Sequence, residues 1–155
     1  MDLEKGMIDI EKGIINIGNI VLHNNVKLEE FISLYSKDIE QECRGGEGFL
    51  NYLIKPIKCK NKYVIVRVYF DQNHLLYMLQ LAFSEKCEFP KWSEYSDQKL
   101  LNDKKDNDKI LLKLIGKPPY EYEWGGIYSM CDRRGGSSHI TIIFGNLGLF
   151  EKPFS

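Results

Sequence analysis

The spacing of apolar residues along this chain switches between the two-residue period of strands and the three-and-four period of helices, and the switches outline its elements. Ile8 to Leu22 holds two apolar runs broken by Glu11-Lys12-Gly13. The second run (Ile14, Ile15, Ile17, Ile20, Val21) is rich in β-branched residues, which predicts a strand pair or one long strand with an irregular lead. Asn24 and Asn25 can cap a helix whose Leu28, Phe31, Ile32, Tyr35 and Ile39 share one face. That helix is expected to stop before Arg44-Gly45-Gly46-Glu47-Gly48, where glycine removes helical preference.

Three candidate strands follow in series. Phe49 to Cys59 is interrupted by Pro56, which lacks a ladder donor and marks an edge or a bulge. Lys60-Asn61-Lys62 turns the chain into Tyr63 to Phe70, where Val64, Val66, Val68 and Phe70 alternate with Tyr63, Ile65, Arg67 and Tyr69. Asp71 to His74 turns it again, and Leu75, Tyr77, Leu79, Leu81 and Phe83 form the opposing apolar row of an antiparallel meander. After a loop carrying Pro90 and Trp92, Ser93 or Ser96 can cap a second helix running to Ile115, with Gly116, Pro118 and Pro119 as its stop. Asn102 to Lys109 within it is wholly polar, so the stretch is either a solvated part of one helix or a break into two. Tyr120 to Asp132 and His139 to Phe144 form a closing hairpin, and Leu147, Leu149, Phe150 and Phe154 of the tail are expected to dock.

This order predicts a two-layer α+β fold: a mainly antiparallel sheet with about two helices on one face and the other face free. Without an internal repeat or interdomain linker, 1–155 reads as one globular domain.

Composition narrows the function classes. At 155 residues and 43% hydrophobic content the chain can close one core without disulfides or metal. Lys plus Arg number 21 against 22 Asp plus Glu, a balance that argues against a nucleic-acid partner because it offers phosphates no long-range attraction. No run approaches the roughly 20 apolar residues of a membrane span, and the amino terminus lacks a signal peptide's apolar core, so no membrane partner and a cytoplasmic location are expected. Cys43, Cys59, Cys87 and Cys131 have no C-x-x-C spacing and are expected to be free thiols, Cys59 and Cys131 in strands. His23, His74 and His139 fall at predicted element ends without metal-ligand spacing, so neither metal nor cofactor is expected.

Candidate chemistry concentrates near the end of the chain. If Asp132 faces His139 across the last hairpin, then Ile127, Ser129, Cys131, Ile140, Ile142 and Phe144 share the core face, and Asp132 and His139 meet at the turn beside Ser137 and Ser138. A catalytic triad is disfavoured there, because the serines would lie in a soft turn with no strained elbow or oxyanion hole. The Arg133-Arg134-Gly135-Gly136-Ser137-Ser138 tip could cradle a phosphate, yet it lacks a strand-to-helix setting, and ordinary turn chemistry explains it better. Tyr120, Tyr122, Trp124 and Tyr128 would line one side of a continuous strand with Glu121 and Glu123 on the other, a stripe suited to anchoring a protein partner. Against that stands packing of Trp124 and Tyr128 under the second helix. The expected partner-binding set is Tyr120, Tyr122, Glu121, Glu123, Trp92, Asp132 and Arg133, with no catalytic or metal-binding residue.

Taken together, Trp92-Ser93, the acid- and lysine-rich second helix ending in Leu-Ile-Gly, and the pattern W-G-x-I-x(4)-D-x-R-x-G-x-S-x-I-x-I from Trp124 to Ile142 resemble a group of small bacterial α+β immunity proteins that neutralise partner toxins. The resemblance covers residues 91–155 at motif level and the rest in element order only. It implies a non-enzymatic inhibitor that binds one cognate protein toxin, and it supplies no binding residues. A small-molecule or nucleotide-binding domain is the alternative, followed by an enzyme using Asp132 and His139. A deep polar pocket bordered by Arg67, Arg133 or His139 would favour either alternative, and a shallow exposed face the inhibitor.

Overall fold

The computed structural model describes residues 7–89 and 95–145. Trp92, Ser93 and the tail residues Leu147, Leu149, Phe150 and Phe154 lie outside the described residues.

The amino-terminal apolar runs form three short strands, β1 (Ile8–Asp9), β2 (Ile14–Ile17) and β3 (Ile20–Leu22), joined into a small antiparallel sheet. Helix α1 (Leu28–Tyr35) follows, then a 3-10 turn (Ser36–Asp38) and the strand β4 (Ile39–Arg44). The remaining elements are β5 (Leu50–Ile54), β6 (Ile57–Cys59), β7 (Lys62–Phe70), β8 (Leu76–Ser84), α2 (Asp97–Ile115), β9 (Tyr120–Tyr122), β10 (Gly125–Asp132) and β11 (Ser137–Phe144). The larger sheet has eight strands in the order β4-β5-β7-β8-β11-β10-β9, with β6 also paired to β7, and every pairing is antiparallel. The α+β expectation holds, with the small sheet sharing the helical layer.

One face of the large sheet carries the core. Val64, Val66, Val68 and Phe70 of β7 pair with Phe83, Leu81, Leu79 and Leu76 of β8, and Leu79 and Leu81 pair in turn with Ile142 and Ile140 of β11. Ile15, Ile17, Ile20 and Leu22 of the small sheet, Phe31 of α1 and Ile110 and Leu111 of α2 join them in a single cluster. Phe31 is fully buried, its ring 5.7 Å from Tyr52 and 5.3 Å from Phe70. Burial of this kind contributes about 1.5–3 kcal/mol per large side chain.

Four local expectations need correction. The first helix has no side-chain cap, since Asn25 adopts a left-handed φ of 78° and Lys27 occupies the cap position. It also ends at Tyr35, and Ile39 begins β4. Pairing of Ile39–Arg44 with β5 satisfies both backbones, and this tertiary gain overrides the helical leaning of Glu40, Gln41 and Glu42. In β8 the core residue is Leu76, 3% exposed, because a register shift beside Phe70 sets Tyr77 out of the apolar row. Residues 120–132 are not one strand: the chain reverses at Glu123-Trp124, so β9 pairs back onto β10.

Other expectations hold or are decided between their alternatives. Pro56 sits at a one-residue slip, since Leu53 pairs with Arg67 but Ile57 with Val64. The polar stretch 102–109 is part of one continuous helix, capped by Ser96, whose Oγ accepts from Lys99 N–H at 3.0 Å. Lys99–Asp103 and Lys104–Asp108 ion pairs support that stretch at i,i+4 spacing.

Candidate functional site

The closing hairpin keeps the expected core face but a tighter register. Asp132 pairs with Ser137, and His139 with Met130, so Asp132 and His139 do not face each other. The reason lies in the turn. Asp132 Oδ1 accepts from Gly135 N–H at 3.0 Å and folds the tip over residues 133–136, which draws Ser137 and Ser138 into β11. Ser138 Oγ donates to Leu100 O at 2.6 Å and is thereby occupied in docking α2. His139, expected at an element end, lies inside β11 and is 6% exposed. Its Nδ1 is 3.4 Å from Ser137 Oγ and its Nε2 is 3.1 Å from Gln80 Nε2. Burial pushes its pKa below the usual histidine value, more than the nearby Asp132 carboxylate raises it. The serine, histidine and aspartate are therefore held by three separate structural duties.

The glycines and tryptophan of the same motif also have structural partners. Trp124 Nε1 donates to Ile10 O at 2.7 Å, and the indole lies where a Cβ on Gly13 would fall, 2.5 Å away. Trp124 thus ties β10 to the amino-terminal sheet. Gly125, at φ +152°, passes so close to Ile143 that a Cβ would stand 1.8 Å from its carbonyl oxygen.

The expected tyrosine stripe is divided. Tyr120 is 9% exposed, belongs to the core cluster and donates to Gly116 O at 2.8 Å, so it is not a surface anchor. Tyr122 is half-buried and stacks on Trp124 with centroids 5.2 Å apart. Tyr128 lies on the other face of β10, over Gly126. Glu121 and Glu123 are exposed on the β9 side, while Asp132 and Arg133 are exposed about 23 Å away along β10 at ~3.3 Å per residue. The expected residues that are described therefore do not form one site. Tyr120 and Glu121 border a cleft of about 540 Å³ between α2 and the β9–β10 hairpin, whose walls include Leu111, Leu112, Pro119 and Ser129. Ser129 Oγ is buried there without a hydrogen-bond partner among the described residues.

The other face of the large sheet, away from the core cluster, carries a row of polar groups that spans several strands. Arg67 Nη1 donates to Asn51 Oδ1 at 2.7 Å and contacts Cys43 Sγ at 3.7 Å. Tyr69 OH donates to Gln80 Oε1 at 2.7 Å, and Gln80 in turn meets His139. Burial pushes the Tyr69 phenol up to about 12 despite the opposing pull of Arg67, so it stays a donor. Next to this row is a cavity of about 250 Å³ lined by Leu53, Ile65, Arg67, Gln80, Ser137 and His139, among others. Sequence reasoning identified Arg67 and His139 singly but missed Asn51 and Gln80. The available signal was a single polar residue in each of several otherwise apolar strands, and it becomes a site only once the register aligns them.

The four cysteines are free thiols, and no group of three or more His, Cys, Asp or Glu among the described residues is placed to hold a metal ion. Among the described residues no helix is long and apolar enough to cross a membrane.

No protein-family model matches the chain, and no curated protein matches it. Among solved structures, the chain is similar to one from a structure described as "Rhs1-CT in complex with cognate immunity protein RhsI1", with a TM-score of 0.55 and 15% sequence identity over 88% of this chain and 85% of that one. At that identity the likeness is one of fold.

Proposed function

We propose that this chain is a non-enzymatic immunity protein that binds and neutralises a cognate bacterial toxin in the cytoplasm. The observation that carries the reading is the fold likeness, which extends over most of both chains and reaches a structure of an immunity protein with its partner. The motif chemistry agrees with it. Asp132 closes a turn, Ser138 docks α2, and His139 is buried against Gln80, so none of them is poised on a substrate. The cavity beside Arg67 and His139 is the observation that favours a small-ligand domain instead. At about 250 Å³ it falls below the ~300–1,000 Å³ of typical ligand pockets.

The test is co-expression with any toxin-like carboxy-terminal domain that the genes neighbouring this chain's own are found to encode. A stoichiometric complex on size exclusion and restored growth are expected, and both are expected to survive Asp132→Asn and Ser138→Ala. Continued growth arrest with no complex would overturn the reading, and so would rescue that disappears in either folded variant.

A further inference from the structure

The face of the large sheet opposite the core holds a charge that nothing in the described fold balances. Arg67 sits in the middle of β7, half-buried, paired across the strands with Leu53 and Gln80. Its two side-chain contacts, Asn51 Oδ1 and Cys43 Sγ, are neutral acceptors on one nitrogen of a group with five N–H donors, and no carboxylate among the described residues pairs with it. Holding a cation partly out of water without a counter-charge is costly, and an arriving carboxylate offsets that cost through a planar fork-to-fork contact.

The surroundings fit such a guest. Among the described lining residues of the 250 Å³ cavity, Arg67 is the one permanently charged side chain; Gln80, Ser137 and His139 add neutral polar groups, and Leu53, Ile65 and Ala82 are apolar. Gln80 is pinned between Tyr69 and His139, so the floor is preorganised. Gly135 and Gly136 of the hairpin tip border the same cavity, and Arg133 and Arg134 precede them, exposed and without ion pairs among the described residues. The remaining arginine, Arg44, is paired with Glu42 at 3.2 Å on the edge strand. On a chain with a net charge of −1, Arg67 lines this cavity, and Arg133 and Arg134 stand next in sequence to two glycines at its border.

We infer that this cavity receives an aspartate or glutamate side chain of the partner protein, which pairs with Arg67 while Arg133 and Arg134 attract it at the rim. The inference rests on the binding function proposed above and deepens it by naming the contact surface and the charge of what it takes. It favours a partner that presents an acidic knob. A nucleic-acid strand is a poorer fit, because the chain as a whole offers phosphates no field.

The experiment measures binding of the purified toxin domain to the wild-type chain, Arg67→Gln, Arg67→Lys and the Arg133→Gln/Arg134→Gln double variant, with circular dichroism as the folding control. Truncating one partner of a desolvated charge pair weakens binding by about 30-fold or more. Arg67→Gln is expected to show that loss, Arg67→Lys a smaller one, and the rim double variant a slower association with weaker salt dependence. If Arg67→Gln does not fold, hydrogen exchange on the wild-type complex decides, and slowed exchange at 133–137 is required. A wild-type complex with an unaffected, folded Arg67→Gln, or with no protection at the tip, overturns this inference alone, whereas no wild-type complex overturns the function reading with it. Arg67-dependent binding of a single-stranded RNA oligomer would also overturn the inference, in favour of nucleic acid.

Discussion

The two faces of the large sheet are built from the same strands and carry opposite chemistry. Toward α1, α2 and the small sheet, β7 presents Val64, Val66, Val68 and Phe70, none more than 1% exposed. From its other face the same strand presents Ile65, Arg67 and Tyr69, and the neighbouring strands add Asn51, Gln80 and His139. On the covered face alternation is read out as burial, and almost any apolar residue of suitable volume would serve. On the other face Asn51, Arg67, Tyr69, Gln80 and His139 each have a particular side-chain partner, so identity matters more than volume. The division leaves one rigid, covered layer and a second surface free to be specific.

The largest effect that would separate the faces comes from Phe31→Ala. Phe31 fills the space between Tyr52 and Phe70, so its removal leaves a cavity at the centre of the covered face. The expected loss is about 3–5 kcal/mol, seen as a lower urea midpoint with an unchanged slope. Gln80→Ala, on the other face, is expected to move the midpoint far less. Equal losses from the two would mean that both faces are core.

Most of the covered face was legible in the sequence, because period-two alternation in β7 and β8 and the three-and-four spacing of α1 each follow from local pattern. The partition of Ile127, Ser129, Cys131, Ile140, Ile142 and Phe144 onto one side survived even though the hairpin closes two residues tighter than expected, since an even shift leaves parity unchanged. Strand β4 was not legible as such. Its alternation is carried by Glu40, Glu42 and Arg44, and an edge strand that buries little shows no apolar period. The reversal at Glu123-Trp124 was hidden for a related reason. Glu-Trp is not a turn sequence, and the bend is held from a distance by Trp124 reaching Ile10 O and by the close approach of Gly125 to Ile143. The polar row could not be read as one site, because its members lie on four different strands and meet only through register.

Ser138→Ala probes an exception on the covered face, a buried hydroxyl where the pattern calls for an apolar group. Its bond to Leu100 O links β11 to the first turns of α2. Alanine removes the donor but fills most of the space, so the expected loss is about 1 kcal/mol, with the helix retained. A loss as large as that of Phe31→Ala would make this single hydrogen bond the anchor of α2. No loss at all would mean that apolar contacts of Leu100 and Leu111 suffice.

The smallest effect concerns pH and belongs to the polar face. Burial lowers the His139 pKa in the folded protein below its ordinary value of 6.5, so the unfolded chain binds the extra proton more readily. Stability contributed by the neutral imidazole is thus fully present above about pH 6.5, the unfolded-state value, and is lost as pH falls through the lower folded-state value. Urea midpoints measured between pH 7.5 and 5.5 are expected to decline, and His139→Gln, which keeps a polar side chain beside Gln80 but cannot titrate, is expected to flatten that decline. If the variant and the wild type fall in parallel, the dependence comes from carboxylates elsewhere and His139 is not held neutral by its strand neighbours. If the wild type instead gains stability on acidification, the Asp132 carboxylate outweighs burial, and the turn and the polar row are electrostatically one unit.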